Sequence, residues 1–399
     1  MKSLKSELLA SCLLSIFALS FLSVFFAKEA AAQVKTLKIG LITSVTGPMA
    51  PGFRPILEAA KPAADLMNQR GGVTVNGQKY LIEILTTDDQ SSPPGAVAAT
   101  NKLLQESVKF IIAPIFIPNF MATGPISEEA KVLRILPASI DPLLFSPPNR
   151  YSFDGEATHY GAPYVYDKLK SLYPKMKRVA IVRPDDPGFK FPDEYTVKEM
   201  QKRGMEVVSH EVFKMPTDDF YPILAKVLAQ KPDSIELLSS ILPFTKGVIE
   251  QARELGFTGP ITSIAHVADV NQLKNALDPK YAYDLYLAGP DVMSPKMPPM
   301  IREYAKLVEK GSKDKMDFVH VLTLQALWII VQGIEKAQSL DTDQVVTALE
   351  SMPKVETPYG PGKMVGKDLI GADRLLLKSI PFTRITKGGK MEFEFLPVK

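Results

Sequence analysis

The chain has 399 residues, of which 46% are hydrophobic and 23% charged, with a formal net charge of +3. This length suggests two domains and permits a sizeable core, and the composition excludes collagen-like and disordered chains. So balanced a charge gives no support to a nucleic-acid or anionic-surface binder.

In chain order, the first element is a leader. Lys2 and Lys5 precede an apolar run over 8–27, and Ala30-Ala31-Ala32 then supplies a small-residue cleavage site. The pattern predicts a secretory signal over 1–32, cut before Gln33. The competing reading is an N-terminal anchor, since the run is just long enough to span a bilayer. Leu9-Ala10-Ser11-Cys12 superficially matches a lipoprotein box, but most of the apolar run follows Cys12, which argues against a lipid anchor. Cys12 is the single cysteine. A processed chain therefore has no disulfide, thiol nucleophile or Cys-ligated zinc. Losing three Lys and two Glu with the leader moves the charge to about +2.

After the leader, short apolar runs alternate with amphipathic stretches. Strands are predicted at 38–43, 80–86, 110–113 and 133–137, with helices at 56–68, 96–105 and 119–130 between them. The first helix should end at Gly71-Gly72 and kink or split at Pro62. The rhythm resumes with strands at 178–182, 206–212, 234–238 and 261–264, and helices at 194–203, 220–229 and 245–255. Such alternation predicts two parallel sheets with helices on both faces. Three helices follow, at 300–310, 318–337 and 342–350. The second is apolar nearly all round but carries His320, Thr323 and Gln325, so it reads as a buried core helix. The tail over 375–397 reads as two or three short strands with a hairpin turn at Lys387-Gly388-Gly389. Passages between the sheets are expected at 145–155, at 285–299 and near 357–363, where Pro, Gly and Asn break the rhythm. These divide the chain into lobe 1, residues 33–150 plus 290–358, and lobe 2, residues 151–289 plus 359–399.

Catalytic signatures are sparse. The four histidines, His159, His210, His266 and His320, lack the i, i+4 spacing of a helical zinc pair, and each reads as a surface or hydrogen-bonded core residue. No nucleophile elbow or phosphate loop appears, and Gly360-Pro361-Gly362 reads as a turn. The pairs Asp88-Asp89 and Asp218-Asp219 read as turn and helix-capping residues, because adjacent side chains on an extended segment point to opposite faces. Asp185-Asp186 reads as a turn with some weight as cleft lining. Ligands in open α/β sheets bind beyond the carboxyl ends of the strands. The loops at 43–53, 114–119, 138–141, 184–189, 239–243 and 265–268 are therefore expected to converge on one cleft. They offer hydroxyls (Thr43, Ser44, Thr46, Ser139, Ser239, Ser240), helix N-termini and many apolar groups, which suits binding better than catalysis.

Several landmarks occur in a telling order: Ile39-Gly40 with Ser44-x-Thr46-Gly47-Pro48-x-Ala50, Asn68-x-x-Gly71-Gly72, Asp88-Asp89, Pro137-Ala138-Ser139, Gln251-Ala252-Arg253-Glu254-Leu255-Gly256, Ile334-Glu335-Lys336-Ala337 with Asp341, and Thr357-Pro358-Tyr359-Gly360. The set resembles the leucine/isoleucine/valine-binding protein family of ABC importers, over nearly the whole mature chain. The resemblance implies a type I periplasmic-binding fold, α/β, with two doubly wound parallel-sheet lobes joined by three crossovers. It implies a non-enzymatic, periplasmic, monomeric solute-binding protein that needs no metal or cofactor and delivers a small ligand to ABC permease subunits in the inner membrane. A sensory ligand-binding protein is the alternative reading, and a secreted hydrolase a remoter one.

The resemblance also marks departures. Ile117 and Ile140 stand where the family is expected to carry ligand-binding hydroxyls, Pro187 and Leu242 where it carries pocket tyrosines, and His266 where it carries the acid that holds an ammonium. Ser139 survives nearby. The expected ligand-binding set is Phe53, Arg54, Phe116, Ile117, Ser139, Ile140, Tyr160, Pro187, Phe189, Leu242 and His266. A buried ammonium without a partner costs several kcal/mol, roughly. The expected ligand is therefore an aromatic or aliphatic carboxylate rather than a zwitterionic amino acid, with His266, Ser139 or Arg54 as its polar contact.

Overall fold

A computed structural model describes residues 34–138, 141–185, 189–238, 242–264, 270–312 and 315–398. The leader with Cys12, and Ser139, Ile140, Asp186, Pro187, Ser239, Ser240 and His266, lie outside the described residues.

The first lobe begins with β1 (Lys35–Thr43), whose Ile39, Leu41 and Ile42 are sealed from solvent. A near-continuous apolar strand of this kind belongs in the middle of a parallel sheet covered on both faces. It is followed by α1 (Ala50–Gln69), β2 (Val73–Val75), β3 (Gln78–Asp88), α2 (Pro93–Gln105), β4 (Phe110–Ile112), α3 (Ile117–Ala122), α4 (Gly124–Glu129), β5 (Leu133–Leu136) and β6 (Ser152–Asp154). Helix α1 is continuous despite Pro55 and Pro62 in its interior, a departure from the expected split. Pro62 is itself buried there, so packing on the core offsets the lost backbone bond. The single helix expected over 119–130 is two short ones meeting at Thr123, with Pro125 in the first turn of the second.

The second lobe comprises α5 (Ala162–Leu172), β7 (Arg178–Pro184), α6 (Lys190–Lys202), β8 (Glu206–Phe213), α7 (Tyr221–Ala229), β9 (Ser234–Leu237), α8 (Leu242–Glu254), β10 (Ile261–Ser263), α9 (Val270–Ala276) and β11 (Leu285–Leu287). The chain then returns to the first lobe with α10 (Pro299–Gly311), α11 (Phe318–Ala337), α12 (Thr342–Glu350), β12 (Val355–Thr357), β13 (Gly360–Val365), α13 (Lys367–Ile370) and β14 (Leu375–Lys378). It closes in the second with β15 (Ile380–Ile385) and β16 (Met391–Leu396).

The first sheet has nine strands in the order β12-β13-β14-β6-β5-β4-β1-β3-β2, and the second seven in the order β16-β15-β11-β10-β9-β7-β8. Both are parallel at their centres; the first is antiparallel at both edges, and the second only at its β15–β16 edge, since β8 pairs with β7 in parallel. Successive residues feed opposite faces. Ala180 and Val182 join the core under α7, α8 and α9, whereas Val179 and Ile181 join that under α5 and α6. The same alternation puts Ile39 and Leu41 in the large core shared with α1 and α11, and Ile42 against Ala99 and Leu103 of α2. Helix α11 is long and apolar enough to cross a membrane, yet 78% of its most apolar window is buried in the lobe, as a core helix is. Its N-terminus is a capping box between Asp317 and His320.

Three crossovers join the lobes, and their positions correct the expected ones. The first follows β6, over 155–161, because 152–154 still pair with β5. The second follows β11, over 288–298; residues 285–287 are a strand paired with β10. The third is at Ser379 and not near 357–363. There Thr357 and Gly360 form a tight hairpin, in which the Thr357 hydroxyl donates to the Gly360 carbonyl, and β13 and β14 remain in the first sheet. Turn chemistry is the same whether a chain doubles back or leaves, so the residues alone do not separate the two.

Candidate functional site

Strand order reverses at β1, which lies between β3 and β4, and at β7, which lies between β8 and β9. Crevices open at such points beyond the strand ends. In the first lobe the loops concerned are 44–49 and 113–116; in the second, residues 186–188 and 239–241, which follow β7 and β9, lie outside the described residues.

The 44–49 loop is held by the paired aspartates. Asp88 Oδ1 accepts from the Val45, Thr46 and Gln90 amides at 2.9, 3.1 and 2.8 Å, and Oδ2 accepts from the Thr46 hydroxyl at 2.6 Å. Burial pushes the Asp88 carboxyl up, but these hydrogen bonds outweigh it and hold it below the usual range. The Ser44 hydroxyl donates to Asp89 Oδ1 at 2.6 Å. Ser91 then ties off the loop, donating to the Thr46 carbonyl and accepting from the Met49 amide. The hydroxyls of Ser44 and Thr46, expected to face a ligand, are thus engaged in building the loop. Thr43 Oγ1 is buried and carries no partner. Asp88 and Asp89 are not helix caps: Ser92 caps α2 by accepting from the Gly95 amide.

The described candidates fall into two groups. Ile117, at the start of α3, and Tyr160, in the short turn after the first crossover, are half-buried against one apolar cluster that includes Phe120, Phe145 and Ile370. Tyr160 also packs on the second-lobe core that contains the buried Phe189. Tyr160 thus packs on both clusters, the one that also holds Ile117 and the one that holds Phe189. Phe116 is half-buried beside Ile117. Phe53 packs on the first-lobe core and Leu242 on the face of the second sheet under α7 and α8. Arg54 is exposed on α1 and paired with Glu58 at 2.6 Å. Ser139, Ile140, Pro187 and His266 lie outside the described residues.

His159, read from the sequence as a surface or hydrogen-bonded core residue, lies against Phe191 and Tyr195, which carry no expected role. His159 is 3% exposed and touches Tyr160, Phe191 and Tyr195, at ring-centroid distances of 4.6, 5.1 and 5.8 Å. Neither of its ring nitrogens has a hydrogen-bond partner. Burial holds the imidazole down at about 3, so it is neutral. It departs from the expectation that each histidine is exposed or hydrogen-bonded. His210 and His320 fit that expectation: His210 meets Asp193 at 2.9 Å, and His320 meets Asp317 at 2.7 Å. The one available signal was the i, i+4 pair Phe191 and Tyr195 at the start of α6, directly after a cleft loop. Among the described residues no group of three or more His, Cys, Asp or Glu is placed to hold a metal.

The periplasmic binding protein family profile matches residues 36–390. The chain belongs to the periplasmic binding protein family. A leucine-, isoleucine-, valine-, threonine- and alanine-binding protein of Pseudomonas aeruginosa is 25% identical over 86% of this chain and 89% of its own length. Matches to several other curated Leu/Ile/Val-binding proteins span 53–66% of those proteins. Among solved structures, LivJ from Streptococcus pneumoniae in complex with isoleucine superposes with a TM-score of 0.70 at 18% identity, covering 91% of this chain and all of that one. An ABC-transporter solute-binding protein from R. palustris in complex with 4-hydroxybenzoate gives 0.69 at 21% identity, covering 91% and 96%. These superpositions establish the type I fold of this periplasmic binding protein, whose relatives are solute binders of the branched-chain amino acid ABC transporter family.

Proposed function

We propose that this periplasmic binding protein works outside the cytoplasm as a monomer, after removal of residues 1–32. In this reading it traps a small organic acid between its lobes and delivers it to ABC permease subunits. The ligand is an aromatic or aliphatic carboxylate, not a zwitterionic amino acid. The carrying observation is Tyr160, which packs both on the apolar cluster that holds Ile117 and on the second-lobe core that holds Phe189. Such a wall rewards burial of an apolar guest at about 25 cal/mol per Å². Printed ligands of the structural neighbours include both isoleucine and 4-hydroxybenzoate, so the fold admits either class. Mass spectrometry of what co-purifies, followed by calorimetric titration with benzoate, leucine and valine, tests the reading. Benzoate should bind and the amino acids should not. Tight binding of leucine or valine refutes the ligand class.

A further inference from the structure

The His159 imidazole is buried with neither ring nitrogen partnered. It is enclosed by Tyr160, Phe191 and Tyr195, with Phe191 and Tyr195 stacked on each other at 5.8 Å and both edge-on to the imidazole. Leaving a buried polar group without a partner is unfavourable, and native proteins keep few such groups. A neutral imidazole has one N–H to donate and one lone pair to accept. A ligand hydroxyl can meet either need.

The surrounding charge decides which end of a ligand belongs here. Burial raises the Tyr160 hydroxyl to about 12, and the carboxylates of Asp368 and Asp373 add to the rise. Burial also raises Tyr195, with Glu199 and Asp368 adding to it and Arg203 opposing. Glu199 is offset by Lys202 and Arg203, at 2.5 and 2.7 Å, so Asp368 and Asp373 are the carboxylates that repel an anion here. An uncharged hydroxyl on an aromatic ring meets no such penalty, and its ring can pack against the tyrosines and Phe191.

Building on the ligand class proposed above, we propose that His159 is a specificity-determining residue, which hydrogen-bonds the phenolic hydroxyl of a hydroxylated aromatic acid while the ligand's carboxylate lies away from the histidine. The test titrates wild type and His159→Phe with 4-hydroxybenzoate and with benzoate, with circular dichroism to confirm the fold. Wild type should prefer 4-hydroxybenzoate roughly tenfold. In the variant the ratio should fall to near one. As a check that needs no variant to fold, the imidazole ¹⁵N resonances of wild type should shift on saturation with 4-hydroxybenzoate and much less with benzoate. Binding of both acids with an unchanged ratio in His159→Phe, or ¹⁵N shifts equal for the two acids, overturns the role of His159 alone. Binding of leucine but of neither acid overturns the underlying ligand class and this inference with it.

Discussion

Two buried titratable groups, Glu236 of the second lobe and His159 of the first crossover, should act on stability in opposite directions with pH. Burial pushes the Glu236 carboxyl of β9 up to about 7, although the Thr262 hydroxyl and the Ile264 amide bond to it and pull it down. Its titratable neighbour is Tyr166, itself raised by burial. Burial holds His159 down at about 3. From pH 4.5 to 7 the unfolded chain releases the Glu236 proton while the folded chain keeps it. Stability therefore falls as pH rises, by about 2.5 pH units at about 1.4 kcal/mol each, or about 3 kcal/mol in all. From pH 3 to 6.5 the unfolded chain takes up a proton on His159 that the folded chain refuses. Stability rises with pH across that window, by about 5 kcal/mol in all. Between about pH 4.5 and 6.5 the two slopes cancel. Glu236→Gln keeps an oxygen to accept from Ile264 and should unmask the rise, whereas His159→Phe should unmask the fall. Urea unfolding of ligand-free protein at half-unit steps from roughly pH 4 to 8 reads both, provided the denaturant slope stays constant. If the stability difference between wild type and Glu236→Gln stays flat to within about 0.5 kcal/mol across roughly pH 5 to 7, Glu236 is not titrating as argued.

Two perturbations of the 44–49 loop have separable outcomes. Asp88→Asn removes a carboxylate that three amides and a hydroxyl share, and should cost about 1–3 kcal/mol at neutral pH. Because the native carboxyl lies below its usual range, the difference from wild type should shrink as pH falls through that range, which acid-side urea midpoints check. Gly47→Ala should cost about 1–3 kcal/mol at every pH, because Gly47 has φ +88° and an added Cβ would lie 2.7 Å from the Gln90 carbonyl. A thermal midpoint within error of wild type would refute that account.

The elements with long apolar periods were legible in the residues, and those set by pairing were not. Helix α11 and strands β1 and β7 carry enough buried side chains to declare their faces. Strands β2, β6, β11 and β12 have three residues each, too few to show an alternation, and exist because a neighbouring strand accepts their backbone bonds. The end-of-strand rule picks out the 44–49 loop, but not the fate of its hydroxyls. Ser44 and Thr46 point into a neighbouring loop because Asp88 and Asp89, more than forty residues later, sit across the β1–β3 register. His159 was unreadable for a related reason. A histidine buried without a partner looks the same in a sequence as one that is satisfied, and only the enclosure by Tyr160, Phe191 and Tyr195 separates them.

The first crossover is bonded to the strand that leads into the third, and the second to strands β15 and β16 of the second lobe. Glu156 of the first pairs with Lys378, which leads into the third, at 2.9 Å, and both are buried. The Ala157 amide donates to the Leu376 carbonyl, the Thr383 hydroxyl donates to the Gly289 carbonyl of the second crossover, and Lys296 reaches the Phe393 carbonyl. Three independent linkers would let the lobes slide as well as bend. A laterally bonded strap resists sliding and leaves bending as the softer motion. Tyr160 lies four residues beyond Glu156, so the strap also sets where the aromatic wall meets the first lobe. Lys378→Met should cost about 3–5 kcal/mol by stripping the buried carboxylate of its cation. It should also weaken ligand binding, whereas the double variant Glu156→Gln with Lys378→Met should recover much of the stability and less of the affinity, because it restores charge balance but not the bond between the first crossover and β14. Equal recovery of both, read by urea midpoint and calorimetry, would mean that the pair serves the core and has no part in holding the lobes in register.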